Sequence, residues 1–240
     1  MRTKMDRSER FQRARAALHQ VEAQWRPDPG AAGARLFSLT LGQGAMELTW
    51  AALHQIEGPA GDAAATGFAL TMLSQGIRRH GRGKPIFWIS VPGSLDSGRL
   101  YPPALQQDQA AQMIFVDAPR PREGFWAFEE ILRSAQAAAV IAELPPPDTV
   151  AGRRLQLAAE EGGSLAILLS LAGNGGAAVP PTPARSRWRV ASRPGGTAVR
   201  LIRGQGLCPG EWRIDHDDTP VSLYLAATVG DRSLHPQTAA

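Results

Sequence analysis

The stretch LHQIEGPAGDAAATGFAL, residues 53–70, decides the fold of this chain. Its first part, Leu53–Glu57, is predicted to form a buried central strand. A Gly-Pro-Ala-Gly turn follows, and a helix is expected from about Asp62 to Arg79. A buried strand that runs through a glycine-rich turn into a helix is the layout of a phosphate-binding loop, or P-loop.

The chemistry of a P-loop is absent from this turn. That motif requires a glycine, four further residues and then Gly-Lys-Ser/Thr. Counted from Gly58, the last three positions hold Ala63, Ala64 and Ala65. A methyl group at Ala64 supplies no cation for a phosphate, and one at Ala65 supplies no hydroxyl for Mg²⁺. Asp62 precedes the helix, where its carboxylate is expected to act as an N-cap, to occupy the niche of a phosphate and to repel nucleotide.

No catalytic, cofactor-binding or metal-ligating residue is therefore expected. The five histidines lack the spacing of a zinc motif, and a single cysteine excludes a cysteine-cluster site. The acidic cluster Asp215–Asp218 is interpreted as a solvated turn, with metal or acid–base use as the alternative. The glycine-rich turn is interpreted as a vestigial P-loop, which retains Gly58, Pro59, Gly61 and Asp62.

The composition fits one compact domain with short extensions. The chain has 240 residues, of which 43% are hydrophobic, and this is enough for a core. A net charge of +4 is mildly basic, and much of the excess lies in Arg2–Arg15 and Arg185–Arg203. Such a balance permits contact with nucleic acid, and a solvated basic face is the alternative. No apolar run is long enough for a bilayer and no secretory signal is present, so we expect no membrane contact and a cytoplasmic location.

The first helix is predicted over residues 5–26. Apolar side chains recur there at three- and four-residue steps, which indicates one apolar face. This face packs either on the chain's own core or on a partner, and proline and glycine residues behind it form a linker. We divide the chain into a helix and linker at 1–30, a core at 31–220 and a flexible tail at 221–240. The candidate partner-contact residues of the first helix are Phe11, Leu18, Val21 and Trp25.

Strands alternate with helices through the middle of the chain. A parallel sheet with right-handed crossovers is the expected result. Asp148 is expected to cap the last of these helices, and Gly162-Gly163 to close it. Buried strands are predicted at Pro85–Val91, Gln112–Val116, Ala139–Leu144 and Leu165–Leu171, a short strand or ordered lead-in at Arg35–Leu41, and helices at Ala104–Ala111, Glu123–Ala138 and from Asp148 to Glu161.

The C-terminal part changes character. Short alternating segments separated by glycine and proline, at Arg187–Arg193, Ala198–Arg203 and Trp212–Asp215, predict antiparallel strands that extend the sheet. Alternation places Arg185, Arg187 and Arg189 on one face. Three cations on one face would suit phosphates, and a solvent-facing arginine ladder is the alternative.

The order of these segments resembles the RecA-like recombinase core. The loop after LHQIE, the helix RRLQLAAEEGG and the strand ARSRWRV carry the resemblance most sharply, and it covers roughly residues 35–215. The chain is most similar to the ImuA family, degenerate SulA/RecA-like proteins of the damage-induced mutagenesis cassette. The resemblance implies a mostly parallel α/β sheet and a helper role in error-prone translesion synthesis.

Partners follow from the same resemblance. They are an ImuB-type Y-family polymerase homologue and an error-prone replicative-type polymerase, with RecA and DNA as open possibilities. In the recombinase pattern the loop Gly173–Pro183 corresponds to one that touches DNA, and Arg185, Arg187 and Arg189 follow it.

Other catalytic positions of a recombinase are also altered. The stretch Ile89–Pro92 lacks the carboxylate expected at the end of the second strand, and Ser170-Leu171 lacks the polar sensor glutamine. Glu143 keeps an acidic strand end, which we interpret as capping a turn. We expect a pseudo-ATPase that binds no cofactor. The alternatives are a divergent nucleotide-dependent DNA-repair ATPase and a SulA-like cell-division inhibitor.

Overall fold

A computed structural model describes residues 35–42, 44–80, 83–92, 100, 112–172 and 182–215. Ten strands and three helices occupy this part of the chain. In chain order they are β1 (Leu36–Leu41), β2 (Gly44–Thr49), β3 (Ala52–Pro59), α1 (Ala64–His80), β4 (Ile86–Ser90), β5 (Met113–Asp117), α2 (Pro121–Arg133), β6 (Ala139–Glu143), α3 (Thr149–Gly162), β7 (Leu165–Ala172), β8 (Ser186–Arg193), β9 (Gly196–Gly204) and β10 (Gly210–Asp215).

Eight of the strands form one sheet in the order β10-β9-β8-β3-β7-β6-β4-β5. The six strands from β8 to β5 run parallel to their neighbours, whereas β9 and β10 are antiparallel additions. β3, the strand of the glycine-rich turn, lies inside the sheet between β7 and β8. The predicted RecA-like α/β fold is confirmed.

Each face of the sheet has its own apolar core. On one face α1 packs Phe68 and Met72 against Ile56 and Trp188. On the other face the core of α2 and α3 includes Leu53 of the same central strand. Residues Ala52–Glu57 are all buried, as a strand covered on both sides requires.

The ends of α3 were predicted correctly. Oδ1 of Asp148 accepts a hydrogen bond from the backbone N–H of Ala151 at 2.7 Å, which satisfies one free donor of the first turn. At the other end Gly163 has φ = 67°, a left-handed conformation that glycine adopts at little cost.

Several local predictions were wrong. β5 was predicted to be buried, but it is the edge of the sheet, and Ile114 and Phe115 are 45% and 39% exposed. The helix α2 ends at Arg133 and does not reach Ala138, because Ala135 has φ = 56°. β8 pairs in parallel with β3, so only β9 and β10 are antiparallel extensions.

One element was only half predicted. The lead-in around Arg35–Leu41 is strand β1, and it pairs with an unpredicted strand β2 in an antiparallel hairpin. The hairpin places Phe37 and Trp50 in the α1-side core. The predicted helices at 5–26 and 104–111 and the predicted tail at 221–240 lie outside the described residues, so the predicted domain boundaries stay predictions.

Candidate functional site

The turn after β3 is packed against its own helix. A Cβ atom built on Gly58 would lie 2.7 Å from Cβ of Ala65 and 3.1 Å from the carbonyl oxygen of Val190. Gly61 has φ = 77°, which an L side chain adopts only with strain. Glycine is therefore required at both positions for this close turn.

Asp62 fixes the turn to the end of β8. Its Oδ1 accepts a hydrogen bond from the backbone N–H of Ala64 at 2.9 Å and another from Oγ of Ser192 at 2.6 Å. Its Oδ2 accepts one from the backbone N–H of Ser192 at 2.7 Å. Burial raises the pKa of Asp62, but these bonds and the charge of Arg193 outweigh it and leave the pKa below its usual value of 3.8.

The bond to Ala64 satisfies a free N–H at the start of α1. The N-cap position itself is Ala63, whose carbonyl accepts from the N–H of Gly67, so Asp62 caps the helix from one residue before the N-cap position predicted for it. The link to Ser192 was not predicted. It joins residues 130 positions apart, and no local sequence pattern signals such a contact.

The three candidate arginines lie beside carboxylates. Arg187 forms an ion pair with Glu57, and Arg189 approaches Oε2 of the same residue at 3.5 Å. Arg185 pairs with Oε1 of Glu160 at 3.0 Å. The side chain of Arg187 is only 14% exposed and that of Arg189 is 55% exposed, so the predicted common face is an ion-pair network in which Arg189 is the most accessible cation.

The remaining recombinase positions lie in β4, β6 and β7. Ser90 ends β4, and Glu143 ends β6. Glu143 is 6% exposed, and its Oε1 accepts a hydrogen bond from the indole Nε1 of Trp88 at 3.0 Å. The interpretation of Glu143 as a turn cap did not include this bond to the buried indole of Trp88. Ser170 is 1% exposed, and its hydroxyl has no hydrogen-bond partner among the residues that the structure describes.

A buried histidine network joins the first halves of β3 and β8. His54 is 1% exposed, and its two ring nitrogens lie 2.7 Å from Oγ of Ser186 and 2.8 Å from the carbonyl oxygen of Thr49. Because a carbonyl only accepts, Nε2 carries the proton and Nδ1 accepts from Ser186. Oγ of Ser186 in turn accepts from Nε1 of Trp188 at 2.6 Å.

Burial is the main cause that lowers the pKa of His54 to about 4; the hydrogen bond to Thr49 opposes the shift and the charge of Arg185 adds to it. Sequence reasoning missed this network. The available signal was His54, Gln55 and Glu57 within an otherwise apolar central strand. Polar residues in such a strand require buried partners.

Two features are absent from the part of the chain that the structure describes. In that part of the chain no group of three or more histidine, cysteine or acidic side chains is placed to hold a metal ion. Nor does any helix there have the length and apolar character needed to cross a membrane.

Comparison with known proteins decides the family. No family model matches the sequence. The chain is 33% identical to Protein ImuA of Caulobacter vibrioides, in each of two strains, and the alignment covers 79% of this chain and 77% of the relative. The chain belongs to the ImuA family. The resemblance seen in the sequence is confirmed.

Proposed function

We propose that this ImuA-family protein is a RecA-like accessory protein of damage-induced translesion synthesis, which binds other proteins and does not hydrolyse nucleotide. Its expected partners are an ImuB-type Y-family polymerase homologue and an error-prone replicative-type polymerase. Family membership supports the cellular process. The geometry around Asp62 supports the loss of nucleotide chemistry.

The contacts of Asp62 carry this proposal. In a P-loop the backbone N–H groups at the helix start bind phosphate. In this chain one of those groups, the N–H of Ala64, donates to the Asp62 carboxylate. The carboxylate also holds Ser192, so its movement would break three hydrogen bonds. An incoming phosphate would be repelled by the negative charge of this hydrogen-bonded carboxylate.

The packing of Ala65 supports the same conclusion. This residue stands where a P-loop has its Mg²⁺-binding hydroxyl, and it is fully buried in the α1-side core. Its methyl group faces the Cα of Gly58, at a spacing that leaves no room for a Cβ on that glycine. A metal with bound water requires space that this contact fills.

The first test is nucleotide binding by the purified full-length protein. Isothermal titration with Mg²⁺-ATP and a steady-state phosphate-release assay should show neither saturable binding nor turnover, with a RecA protein as the positive control. The variant Ala64→Glu places a second carboxylate at the helix start. The pseudo-ATPase proposal would be overturned if the wild type bound or hydrolysed ATP and the substitution Ala64→Glu abolished that activity.

The second test concerns partners. Purified full-length protein should form a complex with the ImuB-type protein or with the error-prone polymerase in pairwise pull-downs. It should not capture FtsZ, the partner expected of a SulA-like cell-division inhibitor. A chain that lacks residues 1–30 tests whether the predicted first helix is a contact surface. If a complex is lost on truncation, residues 1–30 contain the contact surface for that partner. If every complex is retained, the predicted helix serves packing alone. Capture of FtsZ and of neither polymerase partner would favour a division inhibitor instead.

A further inference from the structure

An open groove runs between α2 and α3, on the face of the sheet opposite α1. It has a volume of about 440 Å³. Its walls are Arg122, Phe125, Trp126 and Glu129 of α2 and Ala151, Arg154 and Leu155 of α3.

The groove exposes unusual apolar surface. Trp126 is 64% exposed, and Val150, next to the groove on α3, is 69% exposed. Phe125 and Leu155 belong to the core beneath. An exposed tryptophan beside an apolar groove is typical of an anchor in protein recognition, because an indole buries a large area with little loss of side-chain entropy.

The charges at the groove are unequal. Glu129 is its one acidic wall residue, and its side chain is 11% exposed. Arg154 donates to Glu129 at 2.6 Å and Arg133 donates to it at 3.1 Å, so two cations surround this single carboxylate. The exposed Arg122 has no ion pair among the described residues. Arg122 and Arg154 therefore leave the groove with an excess of positive charge.

The helix dipoles act in the same direction. Glu129 of α2 pairs with Arg154 of α3, and further along both helices Arg133 lies 3.9 Å from Glu161. Because the contacts advance in the same direction along both chains, the two helices run in parallel. All wall residues except Glu129 come from the N-terminal halves of the two helices. The positive ends of two macrodipoles thus point to the same end of the groove.

We propose that this groove docks a short acidic amphipathic segment of a partner protein. An aromatic or branched aliphatic side chain of the segment packs against Trp126 and Leu155, and flanking carboxylates pair with Arg122 and Arg154. The guanidinium of Arg154 has five N–H donors, so it binds a second carboxylate while it holds Glu129. This inference does not depend on whether the chain binds nucleotide.

Charge argues against an occupant from the same chain. The amphipathic segment at residues 5–26 carries five arginines against three acidic residues. Its apolar stripe would suit the groove, but its cations would lie near Arg122. A partner segment rich in aspartate or glutamate matches both the apolar wall and the charge.

The test selects a random twelve-residue peptide library on phage against the immobilised full-length protein. Trp126→Ala and Arg122→Glu alter exposed side chains of the groove, and Arg78→Glu, on the opposite face of the sheet, is the matched charge-reversal control. Equal thermal unfolding of all three variants and the wild type establishes that each is folded. Selected peptides are then synthesised, and their affinities for each variant are measured by fluorescence anisotropy.

We expect peptides with an aromatic or aliphatic residue flanked by aspartate or glutamate. Their affinity should fall about tenfold or more in Trp126→Ala and in Arg122→Glu and stay within about twofold in Arg78→Glu. Failure to select any groove-dependent peptide would overturn the proposal, and so would a basic or uncharged consensus. Competition by a synthetic peptide of residues 5–26 would assign the groove to the chain's own segment. Self-association lost in Trp126→Ala would assign it to a second copy.

Discussion

The carboxylate of Asp62 accepts a hydrogen bond at 2.7 Å from the backbone N–H of Ser192, at the far end of β8. With the bond to Ala64, it joins the turn after β3, the start of α1 and a strand that lies 130 residues later. The same side chain anchors three elements, and under the proposed function its negative charge also occupies the position at which a P-loop receives phosphate.

Replacement of Asp62 by alanine should lower the free energy of unfolding by about 1–2 kcal/mol, because three donors lose their acceptor. Ser192→Ala should cost less, since the backbone N–H of Ser192 keeps its bond to Asp62. Urea unfolding measures both. The double variant should be less affected than the sum of the two single variants, because they share one interaction. Additive losses would contradict a direct link between Asp62 and Ser192.

Stability should fall as the pH is lowered from about 6.5 to about 4 because of His54. In the folded protein burial lowers the pKa of this residue to about 4, whereas the unfolded chain has the ordinary value of 6.5. Between these values the unfolded state binds the extra proton, so acid favours unfolding. The full contribution is present above pH 6.5, and roughly 3 kcal/mol is lost over the window.

The variant His54→Gln isolates this effect. Glutamine at this position carries no titrating group, so urea unfolding across pH 7.5 to 4.5 should give a flatter pH profile for the variant than for the wild type. Carboxylates contribute equally to both proteins and cancel in the difference. If the two profiles run parallel, the buried neutral state of His54 is refuted.

Two glycines should respond to alanine in opposite directions. A Cβ on Gly162, at the end of α3, would lie 1.9 Å from the carbonyl oxygen of Leu132, so Gly162→Ala should destabilise the protein by about 1–3 kcal/mol through overpacking. A Cβ on Gly67, within α1, would meet nothing within 4 Å, so Gly67→Ala should stabilise it by about 0.5–1 kcal/mol. Thermal unfolding distinguishes them, and a neutral Gly162→Ala would mean that α2 and α3 are not packed this closely.

Local signals explain why much of the fold was predictable. Asp148 and Gly163 mark the ends of α3 by residue type alone. The short run of β4 is rich in isoleucine and aromatic residues, and this composition favours a strand. The order of strands in the sheet is not a local property. For this reason β5, which is apolar in sequence, was predicted as buried although it lies at the edge with Ile114 exposed.

The candidate site shows the same division. Gly58 and Asp62 were found because they follow a strand within one short motif. The partners of Asp62 and of the arginines come from distant segments: Ser192 lies 130 positions from Asp62, and Glu57 lies 130 positions from Arg187. Pairings at that separation depend on which strands become neighbours, and a single sequence does not specify this.

The ion pairs of Arg185, Arg187 and Arg189 lead to the last prediction, which concerns DNA. Because each guanidinium lies beside a carboxylate, a phosphate would have to compete with Glu57 and Glu160. We expect substitution of all three arginines by glutamine to lower stability and to leave the affinity for single-stranded DNA close to that of a control with the same charge. The control replaces the exposed Arg78, Arg79 and Arg153 by glutamine, which all lie on helices and away from β8.

Fluorescence anisotropy with a labelled oligothymidine, repeated over a series of salt concentrations, separates the two hypotheses. A site that holds phosphates releases counterions, so its loss flattens the dependence of log K on log salt concentration by about 0.7 unit for each contact removed from a single strand. Equal slopes for the two triple variants would assign the arginines to their ion pairs with Glu57 and Glu160. A slope that flattens only when Arg185, Arg187 and Arg189 are replaced would establish them as a DNA contact, with Arg189, the most exposed of the three, as the first to touch phosphate.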